Sequence, residues 1–152
     1  MRKSILVVED NVLVGRSVRM LLRSFGHDVT LFEDTRPAQA YVAANGLADI
    51  DLVISDFDLP SETGYEFIRK LWEQRPELKV LLMSAWAEES IVPSPRPADW
   101  PPFISKPFKP AALREAVSKV FEVVEVERLA RRREVVVATA PIFVEVELSP
   151  VS

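Results

Sequence analysis

The chain has no cysteine, which rules out disulfide staples and thiolate chemistry together. It has one histidine, His27, so a metal site built from imidazoles is excluded and any bound metal must be held by oxygen. The one basic block is Arg131-Arg132-Arg133, and a net charge of −4 argues against a nucleic-acid surface. No apolar stretch is long enough to cross a bilayer. The first residues lead directly into a strand-like run, with no signal-peptide pattern. The expectation is a soluble, cytoplasmic protein with no membrane contact and no direct DNA binding. What is present is a 48% hydrophobic chain of 152 residues, enough for one cored domain and an extension.

Short β-branched runs alternate with stretches of helical spacing. Residues 4–9 read as a first strand. Residues 12–25 follow as a helix, with Val14, Val18, Leu21, Leu22 and Phe25 on one face and Gly26 placed to stop it. Residues 29–32 read as a second strand and 36–45 as a second helix. The third strand is 51–55, and a third helix spans about 65–75, opened by Gly64 and followed by Pro76. Residues 80–83 and 103–105 read as strands four and five, and a last helix runs from 110 to about 133. Such alternation implies an α/β fold with a parallel sheet covered on both faces. Right-handed crossovers and five βα units fit a flavodoxin-like, doubly wound order of 2-1-3-4-5.

Two acidic clusters fall at strand ends. Glu9-Asp10 closes Ile5-Leu6-Val7-Val8, and Asp56 closes Leu52-Val53-Ile54-Ser55. Open α/β sheets place their sites at that carboxyl edge. Three carboxylates converging there make a hard oxygen site suited to Mg²⁺. One of them could also be a nucleophile toward phosphorus.

Four pieces, each at the end of its own strand, carry a family resemblance over roughly residues 3–125. They are Val7-Val8-Glu9-Asp10-Asn11, Ser55-Asp56-Phe57-Asp58-Leu59-Pro60 with Gly64, Met83-Ser84-Ala85, and Ile104-Ser105-Lys106-Pro107-Phe108. The pattern resembles the receiver domain of two-component response regulators (CheY-like). The resemblance implies that Asp56 accepts a phosphoryl group from a histidine kinase or a histidine phosphotransfer protein. It implies Mg²⁺ held by Asp10, Glu9, Asp56 and the backbone carbonyl of Asp58. Ser84 and Lys106 would meet the phosphoryl oxygens, and Phe103 would stand at the switch-aromatic position. Lys106 precedes Pro107, where the family commonly has a cis peptide. His27, just past a helix-ending glycine, reads as a loop residue.

Two stretches depart from that pattern. Pro93, Pro95, Pro97, Pro101 and Pro102 fall where a fourth helix is expected, so that helix should be shortened or replaced by a Pro-rich loop. Trp86 lies at the mouth of the site, where a bulky ring could shield the phosphoryl group from water. Residues 126–152 form an extension beyond the 1–125 receiver. In it, 134–138 and 142–148 read as two strands around Thr139-Ala140-Pro141, an extra C-terminal hairpin that should seek a contact, with a homodimer favoured. The reading is therefore a stand-alone phosphorylatable switch that signals by changed partner or oligomer contacts, not an enzyme on other substrates. One rival is a receiver-like interaction module that works without phosphorylation. A second is a haloacid-dehalogenase-like phosphatase, suggested by Asp56-Phe57-Asp58. That family places Thr or Val where Pro60 stands here, and its motif follows the first strand, not the third.

Overall fold

The structure is a computed structural model and describes residues 1–122. The extension 126–152, its hairpin and the last helix beyond 122 lie outside the described residues. The elements run β1 (Ser4–Val8), α1 (Val12–Ser24), β2 (Asp28–Phe32), α2 (Thr35–Asn45), β3 (Leu52–Asp56), α3 (Gly64–Gln74), β4 (Lys79–Ser84), α4 (Glu88–Ile91), β5 (Phe103–Ser105) and α5 (Pro110–Glu122). All strand pairs are parallel, in the order β2-β1-β3-β4-β5.

The strands are apolar because both faces of the sheet are covered. β3 is buried along its whole length, and β4 from Val80 onward. One face carries Leu6, Val8, Val53 and Leu82 against Ala38 and Val42 of α2 and Phe67, Ile68, Leu71 and Trp72 of α3. The other carries Ile5, Val7, Ile54 and Met83 against Val18 and Leu22 of α1 and Leu113, Val117 and Val120 of α5. Neighbouring residues of one strand thus feed opposite cores, as a period of two requires.

Local signals set the helix ends. Asn11 caps α1, its side chain accepting from the Val14 N–H at 3.0 Å. Beyond α1, Gly26 takes φ +99°, a left-handed conformation that glycine adopts without steric cost. α3 opens with a reciprocal capping box between Thr63 and Glu66. α4 spans four residues and stops at Ile91, ahead of the prolines. Residues 92–102 then run through turns and bends to β5. No described helix is long and apolar enough to cross a membrane.

Candidate functional site

The parallel register brings the strand ends side by side. Val8 is level with Ser55, Asp56 with Met83, and Ser84 with Ser105. The next residues therefore line one edge of the sheet: Glu9, Asp56, Ser84 and Lys106. Backbone bonds extend the ladders past the strands. Glu9 donates to the Phe32 carbonyl at 2.9 Å, Phe57 to Met83 at 2.7 Å and Lys106 to Ser84 at 2.8 Å. The side chains thus rise from a rigid base.

Glu9, Asp56 and Ser84 are buried, at 1%, 5% and 0% exposure, whereas Asp10 is exposed. Carboxylate oxygens of Glu9, Asp10 and Asp56 lie within 4.8 Å of one another. The Lys106 ammonium sits among them, 2.7 Å from Glu9 Oε1 and 3.2 Å from Asp56 Oδ1. Glu9 Oε2 also accepts from the Asn11 N–H at 3.1 Å, so both its oxygens are held.

Burial, with the Glu9 charge behind it, pushes the Asp56 carboxyl up to about 6 even though Lys106 pulls the other way. Burial alone would lower the Lys106 ammonium, but its hydrogen bond to Glu9 and the charges of Asp56 and Glu9 outweigh this and hold it above the ordinary lysine value. Among the described residues, one cation faces three clustered carboxylates, which leaves the cluster short of positive charge. The donors are hard oxygens, so the residues present fit a hard divalent cation.

The remaining candidate residues are placed as follows. The Ser84 hydroxyl accepts from the Trp86 N–H at 2.9 Å, which ties down the start of the loop after β4. Trp86 itself is 60% exposed. Asp58 is exposed, two residues past β3. Phe103 is half-buried and packs on the core beneath α2 and α3. The Lys106–Pro107 peptide is cis. His27 lies away from this edge, and its Nδ1 accepts from the Lys3 N–H at 3.1 Å.

Some supporting contacts were not singled out from the sequence. The Ser55 hydroxyl donates to the Asp56 carbonyl at 2.9 Å. Gly64 packs so closely that a Cβ there would stand 2.1 Å from the same carbonyl oxygen. Asp34, the cap residue of α2, accepts from the Ser61 N–H at 3.2 Å and from its hydroxyl at 2.5 Å, fastening the loop that leaves the site. Spacing signals existed for the Thr63-x-x-Glu66 box, but not for contacts between residues far apart in the chain.

Comparison with known proteins agrees with this geometry. Residues 5–118 match the family model described as the response regulator receiver domain. The chain is 30% identical over 120 residues to the chemotaxis protein CheY-3 of Vibrio cholerae, covering 78% of this chain and 91% of that one. It is 36% identical over 107 residues to the virulence transcriptional regulatory protein PhoP of Salmonella typhimurium, covering 68% of this chain but 45% of PhoP. It thus spans about half the length of that relative. Among solved structures, the beryllofluoride-activated DrrB receiver domain superposes with a TM-score of 0.67 at 27% identity, covering 81% of this chain and all of that one. From sheet order, edge geometry and family match together, the chain belongs to the response regulator receiver domain family.

Proposed function

We propose that Asp56 is a phosphoacceptor and that this receiver works as a phosphorylation switch. The observation that carries the reading is the buried Asp56 carboxylate, flanked by Lys106 at 3.2 Å and by two further carboxylates whose oxygens lie within 4.8 Å. Phosphoryl transfer needs positioning and charge neutralisation more than acid–base help. With a pKa of about 6, Asp56 is ionised at neutral pH and available as nucleophile.

In this reading Glu9, Asp10, Asp56 and the Asp58 carbonyl would hold Mg²⁺, which would supply neutralising charge for the incoming phosphoryl oxygens. An Asp56 oxygen attacks the phosphorus of a phosphohistidine, the P–N bond breaks and the imidazole leaves. The Lys106 ammonium turns from Glu9 to a phosphoryl oxygen, and the Ser84 hydroxyl donates to another. Later attack by water restores the carboxylate and releases phosphate. Trp86, at the mouth, limits that water and lengthens the life of the acyl phosphate.

A protein-borne donor suits the surroundings of the site. Leu13 is 74% exposed and Val12 43%, and both open α1 immediately after Asp10 and Asn11 in the chain. A groove lined by Leu13, Val14, Ala85, Pro107 and Phe108 adjoins Lys106. Exposed apolar surface beside a charged centre fits docking of a histidine kinase or phosphotransfer protein. Output would pass through Ser84 and Phe103 to a downstream protein, or to a second copy through the 126–152 extension. The test is fluorine NMR of beryllofluoride with Mg²⁺. A bound signal that needs Mg²⁺ and disappears in Asp56→Asn is expected, and no bound signal in the wild type would refute the reading.

A further inference from the structure

The Pro-rich segment that follows α4 is not a loose loop. Glu88, the first residue of α4, accepts from the Trp100 indole N–H at 2.8 Å and from Arg96 at 2.9 Å, through the same carboxylate oxygen. The Trp100 ring lies against Tyr65 of α3, with centroids 4.8 Å apart. Tyr65 in turn contacts Asp99 at 3.4 Å and accepts from Arg69 at 3.2 Å. Pro101 is buried. Residues 96–101 thus form a strap clasped to two helices, with Glu88 as the buckle.

The buckle is close to the phosphorylation site along the chain. The Ser84 hydroxyl accepts from the Trp86 N–H. A hydroxyl has one donor and two lone pairs, so Ser84 can keep that bond while donating elsewhere. Whatever draws the Ser84 oxygen toward Asp56 therefore draws the Trp86 backbone with it. Glu88 follows two residues later, on a four-residue helix that lacks a side-chain cap. Such a short helix has little rigidity of its own, and its position depends on what holds Glu88.

We propose that Glu88 is a positioning residue for the site: the strap, by clasping Glu88, holds the 84–88 loop back from Asp56, so that modification of Asp56 and loosening of the strap are coupled. The inference rests on Asp56 being the phosphoacceptor. Coupling is reciprocal: if a ligand at Asp56 loosens the clasp, cutting the clasp must tighten that ligand by up to the same factor.

The experiment uses the full chain with Mg²⁺ and beryllofluoride, read in two ways. Hydrogen exchange follows the backbone amides of 96–103, and fluorine NMR titration gives the beryllofluoride affinity. The variants are Glu88→Ala, which removes the acceptor, and Trp100→Phe, which keeps a ring on Tyr65 but removes the N–H donor. In the wild type, beryllofluoride should speed exchange across the strap about five-fold or more. Both variants should show fast strap exchange without ligand and should bind beryllofluoride about five-fold or more tightly, with thermal unfolding still cooperative. A merely structural role for Glu88 would lower the melting temperature and leave that affinity unchanged. Strap exchange that ignores saturating beryllofluoride, or variants that bind it equally or more weakly, would overturn the coupling. Failure of the wild type to bind it at all would overturn the phosphoacceptor reading instead, and the coupling with it.

Discussion

Replacing Asp56 with asparagine removes the proposed phosphoacceptor, yet it should make the metal-free protein more stable. The reason is the direction of the Asp56 shift. Burial and the Glu9 charge raise its pKa from an ordinary 3.8 to about 6. The folded state therefore holds this proton more tightly than the unfolded chain. Ionisation costs the fold stability, fully above about pH 6 and progressively less as the pH falls toward 3.8. Each pKa unit is worth about 1.36 kcal/mol, so the shift corresponds to at most about 3 kcal/mol at neutral pH. Asparagine has nearly the same shape, carries no charge and can still accept from Lys106. A gain of about 1–3 kcal/mol is expected at pH 7 without divalent ions. In urea, with a slope of roughly 1–3 kcal/mol per molar, the midpoint should rise by about 1 M. Well below pH 3.8 the two proteins should unfold alike, since Asp56 is then protonated in both states. Adding Mg²⁺ should stabilise the wild type more than Asp56→Asn, because only the wild type keeps all three carboxylates. An asparagine variant that is equally stable or less stable at pH 7 without metal would refute the electrostatic account.

Gly64→Ala should cost about 1–3 kcal/mol in urea unfolding and weaken beryllofluoride binding, because the added Cβ collides with the Asp56 carbonyl and forces the β3–α3 loop away; unchanged values of both would contradict that contact. Thr35→Val should leave stability unchanged or raise it by about 1 kcal/mol in the same assay, since the buried Thr35 hydroxyl has no hydrogen-bond partner among the described residues. Trp86→Ala should shorten the lifetime of the phosphorylated form several-fold, measured by loss of the mass adduct with time, without altering the urea midpoint of a residue that is already 60% exposed; an unchanged lifetime would remove Trp86 from the account of hydrolysis.

Much of the fold was legible because its signals are local. Apolar runs such as Leu52-Val53-Ile54-Ser55 read as interior strands, and the carboxylates that end them fall at one sheet edge once the strands are parallel. Boundaries moved by a residue where a side chain had another task. Asp51 reads as the start of the third strand, but β3 begins at Leu52, and Asp51 instead accepts from the Ser4 N–H at 2.8 Å. Asp56, placed just past the strand by the sequence, is its last residue. What the sequence could not disclose depends on side chains meeting across the chain. Lys106 lies 97 residues from the Glu9 it bonds, and Ser61 lies 27 from Asp34. Five prolines show why a helix cannot continue past Ile91, but nothing local to them says that Trp100 and Arg96 return to Glu88.

The central claim is that Asp56 takes up a phosphoryl group. Its most direct test is intact mass after incubation with acetyl phosphate and Mg²⁺, on the wild type and Asp56→Asn in parallel. The account predicts one added phosphoryl group on the wild type, lost on chelating Mg²⁺ beforehand, and none on the variant. An adduct of equal yield on Asp56→Asn, or an unmodified wild type that also fails to bind beryllofluoride, would contradict it.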